Sequence, residues 1–243
     1  MLLSLLNNFG ENPRMAIITI LMMIPTLLIA LTVHEYSHGR MALALGDKTA
    51  LMSGRLSLNP IHHLDPIGAV MMLLFGFGFA KPVPVNLRNA TKVNYKTATI
   101  LISLAGPLSN FILAFLGVFG LLVTETVSYN TSGATVSAIL SYNLPINSTI
   151  VIVCYYFFLY FSLMNIGLGV FNLIPIPPLD GSRILTVFLP ARLQILFHRY
   201  ENIIQLVLFA LLFTNILDRF LYGIRSIIFN GKMDLISQLP LNI

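Results

Sequence analysis

Long apolar runs without a charged residue dominate the pattern of this chain. A helix needs about 20 apolar residues to cross the hydrocarbon of a bilayer. The candidate spans are Met15–Val33, Thr97–Val123, Ile146–Ile174 and the shorter Ile203–Leu217. The pattern therefore predicts an all-α polytopic membrane protein with about four to five transmembrane helices.

Shorter apolar stretches lie between and beyond these spans. Pro66–Ala80 is too short to cross and contains three glycines, so we expect a re-entrant or buried segment with an irregular end. Phe220–Phe229 contains Arg225 and is expected to be an interfacial helix or a frayed last turn. Met1–Pro13 lacks a basic start and a small-residue cleavage site, so a signal peptide is not predicted.

Composition supports the same class of protein. Of the 243 residues, 56% are hydrophobic and 9% are charged, whereas soluble proteins average about 45–50% and about 25%. These values exclude an ordinary soluble domain, a disordered chain and a coiled coil. The single cysteine, Cys154, excludes a disulfide framework and a cysteine-only zinc site.

Basic residues are unevenly distributed, and this predicts the orientation. The net charge is +5, and in a membrane protein such a charge reports loop topology rather than a nucleic-acid partner. The positive-inside rule places 39–96 and 175–200 in the cytoplasm and 124–148, which has no basic residue, outside. This topology requires that Pro66–Ala80 enters the membrane without crossing it. Between 39 and 96 the basic residues are Arg40, Lys48, Arg55, Lys81, Arg88, Lys92 and Lys96.

A candidate metal site directly follows the first apolar run. Residues 34–38 read His34-Glu35-Tyr36-Ser37-His38, the H-E-x-x-H pattern. Histidines four residues apart share one helical face and can bind one zinc ion. Glu35 can then take a proton from a zinc-activated water. The alternative is a polar helix end at the membrane interface, although ionisable residues at membrane depth are usually functional. The helical rise from Met15 places the motif near the cytoplasmic edge.

Hydrolytic zinc sites have three protein ligands and one open position, so a third ligand is needed. Asp180 follows a proline-rich segment, residues 172–181 (N-L-I-P-I-P-P-L-D-G), which cannot continue a helix and must unwind. Its alternative role is to cap a helix that begins near Ser182. The remaining candidates look solvated or loop-bound by position, and they are His62, His63, Asp65 and His198.

Together these motifs resemble the site-2 protease family of intramembrane zinc metalloproteases, in its compact prokaryotic branch. The resemblance runs from about Leu28 to about Leu189. Larger relatives carry a further transmembrane helix before the H-E-x-x-H helix, and PDZ or cystathionine-synthase-like modules that are not expected here. Besides the two segments above, the resemblance rests on 46–47 (GD), 54–60 (GRLSLNP), His62, 65–68 (DPIG), 80–86 (AKPVPVN) and 104–110 (LAGPLSN).

The resemblance implies a role for each site residue. His34, His38 and Asp180 would bind zinc, and Glu35 would be the general base. Asn172 would support catalysis by hydrogen bonding to the peptide or to the developing oxyanion.

The resemblance also implies how the site is surrounded. The Gly106–Asn110 segment would pack a helix against the catalytic one. Gly54–Asn59 and Lys81–Asn86 would be short strands at the membrane face that receive an unwound substrate by strand addition.

The function expected from these observations is peptide-bond hydrolysis in or beside transmembrane segments of membrane proteins. The chain would be one membrane-embedded domain, 1–243, with a catalytic core at about 15–190 and a C-terminal helix at about 200–229. It would lie in the cell membrane with its active site toward the cytoplasm. The alternative is a catalytically inactive zinc-binding membrane adaptor. A metal transporter is disfavoured because the runs 97–123 and 146–174 carry no ionisable charge at the midplane.

Overall fold

The structure is a computed structural model that describes residues 13–75, 80–136 and 149–212. It is mostly helical, and three of the described helices are long and apolar enough to cross a membrane. Short 3-10 turns occur at Pro60–His62 and Leu87–Asn89. The helices are α1 (Pro13–Ala44), α2 (Thr49–Met52), α3 (Pro66–Phe75), α4 (Tyr95–Ser132), α5 (Thr149–Asn172), α6 (Asp180–Phe188), α7 (Ala191–Arg199) and α8 (Glu201–Leu212).

Helix α1 continues well beyond the apolar run that predicted it. The run ended at Val33, but the candidate span is Ile20–Ala44. The helix continues because Ala42 and the residues around it pack against Ala98 and Ile102 of α4. At about 1.5 Å per residue, His34 lies roughly 15 Å before the end of α1. The H-E-x-x-H motif therefore lies within the candidate span, and its depth in the membrane stays a prediction.

The other two long helices begin and end for identifiable local reasons. The side chain of Asn94 accepts a hydrogen bond from the Thr97 amide and caps the start of α4. Gly133, with φ of 73°, ends α4 in the left-handed conformation that glycine adopts readily. Helix α5 stops at Asn172, ahead of the prolines, as predicted. The first residues of the predicted run Ile146–Ile174 lie outside the described residues.

Helices α1, α4 and α5 pack together, with α4 antiparallel to the other two. Side-chain pairs between α1 and α4 run in opposite order, since His34 meets Asn110 whereas His38 meets Ile102. Glycines let α4 approach α5 closely. A Cβ on Gly117 would lie 2.4 Å from the Ser162 hydroxyl. Small residues at helix contacts are the usual means of close packing in membranes, where the hydrophobic effect does not drive association.

The segments between the long helices differ in part from expectation. Helix α3 has ten residues, too few to span, and residues 76–79 of the predicted re-entrant segment lie outside the described residues. The expected strands at Gly54–Asn59 and Lys81–Asn86 are wrong, because neither segment forms a strand among the described residues. Pro82 and Pro84 have no N–H to donate to a ladder.

Near the C-terminus, α8 accounts for the described part of the predicted helix Ile203–Leu217. Residues 213–217 of that prediction and all of Phe220–Phe229 lie outside the described residues. The same holds for residues 1–12 of the N-terminal segment.

Candidate metal centre

Two helices and one unwound segment bring three potential ligands to one point. His34 and His38 lie one turn apart on α1, and Asp180 is the first residue of α6. The Asp180 Oδ2 atom lies 3.2 Å from His34 Nε2 and 3.1 Å from His38 Nε2. The two Nε2 atoms are 3.1 Å apart. Both imidazoles are buried, with 5% and 8% of their surfaces exposed.

The proline-rich segment carries Asp180 back to α1. After Asn172 the chain leaves the helix, and regular helix resumes only at Asp180. Leu179 occupies the cap position of α6, and no side-chain hydrogen bond caps this helix. Asp180 therefore does not serve as the helix cap that the sequence left open.

Gly181 allows the turn that follows Asp180. A Cβ at this position would lie 2.2 Å from the Leu173 carbonyl oxygen and 2.7 Å from the Ile174 carbonyl oxygen. Because these are backbone atoms, no side-chain rotation can make room. Glycine is thus required for the chain to fold back on the end of α5 and aim Asp180 at the histidines.

One face of α4 supports both imidazoles. Ile102, Gly106 and Asn110 are four residues apart and share that face. His38 Nδ1 lies 2.6 Å from the Ile102 carbonyl oxygen, and His34 Nδ1 lies 2.6 Å from Asn110 Oδ1. Gly106, between them, leaves the space that the two rings fill, since a Cβ there would be 2.4 Å from His38 Nε2.

The hydrogen bonds at Nδ1 leave the other ring nitrogens bare. A carbonyl oxygen only accepts, so Nδ1 of each imidazole must donate, and Nε2 of a neutral ring then carries a lone pair. No hydrogen bond partner is found for the buried Asp180 Oδ2 in the described part of the chain. Three electron-rich atoms thus converge about 3 Å apart, an arrangement that a proton or a metal ion between them would stabilise.

The donor set fits zinc. Two imidazole nitrogens and one carboxylate oxygen form a three-ligand set that leaves a fourth position open. Tetrahedral bonds of about 2.0–2.2 Å would place neighbouring ligand atoms about 3.3 Å apart, close to the observed separations. No other cluster of three metal-ligating side chains occurs among the residues that the structure describes.

The Glu35 carboxylate accepts a hydrogen bond from the Lys81–Asn86 segment, which lies outside the cluster of His34, His38 and Asp180. Its Oε2 atom accepts a hydrogen bond of 2.9 Å from the Val83 amide. The Lys81–Asn86 segment that carries Val83 is fixed at both ends, since the Lys81 amide donates to the His63 carbonyl and the Asn86 amide donates to Asp47. The segment therefore lies directly against the carboxylate of the H-E-x-x-H motif.

The anchor of this segment is the buried Asp47. Burial raises the pKa of its carboxyl group, but hydrogen bonds from Thr49 and from the Asn86 amide outweigh burial and hold the pKa below its ordinary value. The side chain of Asn89 also donates to this carboxylate, at 3.3 Å. An ionised Asp47 thus fixes the segment beside Glu35 at neutral pH.

Asn172 begins the proline-rich segment, but it forms no hydrogen bond with the cluster of His34, His38 and Asp180. Its Nδ2 atom donates to the Leu168 carbonyl, one turn back on α5. No hydrogen bond links Asn172 to His34, Glu35 or Asp180, all of which are described. The structure thus places Asn172 at the end of α5 without a hydrogen bond to the histidines.

The other sequence candidates lie elsewhere. His62 Nδ1 contacts the Gly54 carbonyl, and the buried His63 contacts the Ser57 carbonyl. Asp65 accepts hydrogen bonds from the first amides of α3 and acts as its cap. His198 is exposed and lies 3.4 Å from Glu201. None of the four joins the cluster of His34, His38 and Asp180.

Residues 22–215 match the model of a protein family described as Peptidase family M50. The chain belongs to peptidase family M50. It is also similar to a Bacillus subtilis (strain 168) protein named "Putative zinc metalloprotease YwhC", with 40% identity over 188 residues. That match covers 76% of this chain and 78% of the relative. No solved structure matches the chain.

This membership confirms the resemblance to site-2 proteases that the motifs indicated. It makes the chain a metalloprotease with zinc as its metal. The three apolar helices agree with a membrane setting for the family member.

Sequence reasoning missed the contact between Asn110 and His34. The segment 106–110 was expected only to pack one helix against another. Asn110 is fully buried and is an amide in a long apolar helix, where an unpaired polar group is costly. The polar side chain of Asn110 within the uncharged run Thr97–Val123 was the available signal, but its partner on α1 could be identified only from the structure.

Proposed function

We propose that this chain is an intramembrane zinc metalloendopeptidase that hydrolyses peptide bonds in or next to transmembrane segments. The observation that carries the proposal is the convergence of His34, His38 and Asp180. The two histidines and Glu35 lie on a helix that is long and apolar enough to span the membrane. Family membership supports the peptidase activity. The substrates would be membrane proteins or peptides within the bilayer.

In this proposal His34 Nε2, His38 Nε2 and Asp180 Oδ2 hold the metal. Bound zinc would supply Lewis acidity toward the scissile carbonyl and toward water. Glu35 takes a proton from the attacking water and later gives it to the leaving amine. Its Oε2 is held by the Val83 amide, which leaves Oε1 to meet the water.

We also propose which parts of the protein hold the substrate peptide next to Glu35. A transmembrane helix keeps its amides internally bonded, so a substrate must unwind before its peptide bond can be attacked. The Lys81–Asn86 segment lies against Glu35 and would border the unwound peptide. Asn172 donates through one N–H to Leu168, and we propose that its second N–H contacts the peptide or the oxyanion.

Glu35→Gln is expected to retain zinc and fold while losing cleavage, because an amide cannot accept the proton. General acid–base groups contribute about 10²–10⁴-fold to rates, so the loss should fall in that range. Zinc content and cleavage of a model transmembrane substrate would be measured in detergent or liposomes. Ser37→Ala is the matched control, because the Ser37 hydroxyl only bonds back to the Val33 carbonyl on the same helix.

Two outcomes would contradict the proposal. Cleavage by Glu35→Gln at nearly the wild-type rate would remove Glu35 as the base. A wild-type protein that binds zinc but cleaves no transmembrane substrate would instead favour the inactive adaptor.

The proposal includes a topology. The chain would cross the cell membrane four to five times, with α3 and the residues after it forming a re-entrant segment, and the metal centre would open toward the cytoplasm. The basic loops between α1 and α4 support this orientation through the positive-inside rule. The whole chain would form one membrane-embedded domain.

Single cysteines at exposed positions test this orientation in a Cys154→Ala background. Arg88 and Asn130 are both exposed and lie on opposite sides in the proposed topology. An impermeant thiol reagent added outside intact cells should label Asn130→Cys and leave Arg88→Cys unlabelled until the cells are opened. The reverse pattern would place the metal centre toward the outside.

A further inference from the structure

A chain of buried amide groups connects α5 to the metal centre. Asn110 of α4 and Asn165 of α5 are each 0% exposed. Asn110 Nδ2 donates to Asn165 Oδ1 at 2.9 Å and to the Ala30 carbonyl of α1 at 3.3 Å. Asn165 Nδ2 donates to the Phe161 carbonyl at 2.9 Å. These contacts join all three long helices at one level.

The direction of each hydrogen bond between these buried amide groups is fixed by the backbone carbonyls at the two ends of the series. The Phe161 and Ala30 carbonyls can only accept, so the groups facing them must be the NH₂ groups of Asn165 and Asn110. Asn165 then presents its oxygen to Asn110, and Asn110 presents its oxygen to His34. His34 Nδ1, 2.6 Å from Asn110 Oδ1, has to donate.

This orientation decides which ring nitrogen of His34 carries the hydrogen. With the hydrogen on Nδ1, the neutral ring presents a bare Nε2 toward Asp180 and His38. If Asn110 were free to rotate by 180°, its NH₂ group would face Nδ1 and favour the hydrogen on Nε2, which blocks ligation. His38 needs no such control, because the carbonyl of Ile102 accepts from its Nδ1 directly.

We propose that Asn165 is a positioning residue that acts through Asn110 to hold His34 in the tautomer that can bind metal. The inference rests on the proposed function only in taking His34 as a ligand. Hydrogen bonds to the far nitrogen of a ligating histidine commonly set its orientation, and their loss costs about 10–100-fold in metal affinity or activity. Here the last acceptor, the Phe161 carbonyl, lies two side chains away from the histidine.

Asn165→Leu removes the nearer of the two oxygens that accept from the Asn110 NH₂ group, leaves the Ala30 carbonyl at 3.3 Å as its remaining acceptor, and keeps a similar volume. We expect zinc to dissociate with a constant about ten-fold higher or more than in wild type. In the metal-free protein at pH 8, ¹⁵N-histidine spectra should show His34 changing from a hydrogen on Nδ1 to a mixture of tautomers. Comparison with a His34→Gln protein identifies the signal.

Two further variants separate orientation from simple packing. Asn165→Asp keeps an oxygen that accepts from Asn110, and in its protonated form it also donates to the Phe161 carbonyl, so tautomer and zinc affinity should return toward wild type. Ser162→Ala changes another buried polar residue of α5, whose hydroxyl bonds only to the Phe158 carbonyl. It should leave both measurements unchanged, and the helical content of all variants would be compared.

The results decide the proposal independently of catalysis. An Asn165→Leu protein with His34 still carrying its hydrogen on Nδ1, and with wild-type zinc affinity, would overturn it. Equal loss in Asn165→Asp and Asn165→Leu would also overturn it, since the aspartate variant keeps the oxygen that accepts from Asn110. If the wild-type protein cleaves no substrate, the proposed function fails, whereas the tautomer measurement still decides the role of Asn165.

Discussion

Gly106→Ala is expected to abolish zinc binding and peptide cleavage together. The added methyl group would lie 2.4 Å from His38 Nε2 and 2.6 Å from His34 Cε1, far closer than van der Waals contact allows. It would overlap both imidazole rings. Alanine favours a helix by about 0.5–1 kcal/mol over glycine, so the loss would arise from the clash and not from α4 itself.

The surrounding contacts prevent easy relief of this clash. The acceptors that hold the two imidazoles, the Ile102 carbonyl and Asn110, lie on the same face of α4 as Gly106. Moving α4 away from α1 would therefore withdraw those acceptors as well. Rotating the rings would break the Nδ1 hydrogen bonds that leave Nε2 bare.

Gly120→Ala is the matched control for this experiment. It makes the same change on the same helix, and its methyl group would meet the Phe158 ring at 2.5 Å, away from the histidines. We expect it to lower the melting temperature while each folded molecule keeps its zinc. Zinc content per folded protein and cleavage rate would be measured for both variants. Full zinc content in Gly106→Ala would show that the rings do not need this space.

The positions of the helices followed from the sequence because apolar runs and prolines act locally. Thr97–Val123 predicted the centre of α4, and Pro175 and its neighbours predicted the end of α5. The end of α1 did not follow, because the last turn around Ala42 remains helical through packing on Ala98 and Ile102 of α4. That packing depends on residues about 50 positions away, which a local pattern does not contain.

In the candidate site, too, some features followed from local sequence and others depended on distant segments. The pairing of His34 with His38 follows from helical spacing, which is a local property. Asp180 was a candidate ligand from its place after the proline-broken segment and from the resemblance, and the structure shows the glycine turn that directs it. The contacts of Glu35 with Val83 and of His34 with Asn110 join distant segments, so nothing in their local sequence indicated them. The expected strand at Lys81–Asn86 was wrong because the amides of Val83 and Asn86 bond to side chains and the two prolines of the segment have no amide N–H to donate.

Asp180→Asn is the second change expected to remove both zinc and activity. An amide oxygen is a weaker zinc ligand than a carboxylate, and the site would lose the negative charge that balances the metal. The new NH₂ group could also donate to the bare Nε2 atoms of His34 and His38, which lie within 3.2 Å of Asp180 Oδ2. The variant would thus replace the cation with hydrogen bonds.

This substitution makes an unusual prediction for the metal-free protein. When neither a metal ion nor a proton lies between them, the three converging lone pairs repel one another, and donation from an amide relieves that repulsion. At alkaline pH, where both imidazoles are neutral, the metal-free Asp180→Asn protein should therefore melt at the same temperature as the metal-free wild type or at a higher one. Added zinc should raise the melting temperature of the wild type only, because a ligand stabilises the state that binds it.

Asp65→Asn provides the matched control, since Asp65 caps α3 through the amides of Ile67 and Gly68. Asparagine caps a helix about as well as aspartate, so zinc binding, cleavage and the zinc-dependent rise in melting temperature should all persist. An Asp180→Asn protein that behaves like this control, with full zinc and full turnover, would remove Asp180 from the metal centre. The third ligand would then have to come from outside the cluster that the structure forms, because His62, His63 and Asp65 already contact other parts of the fold.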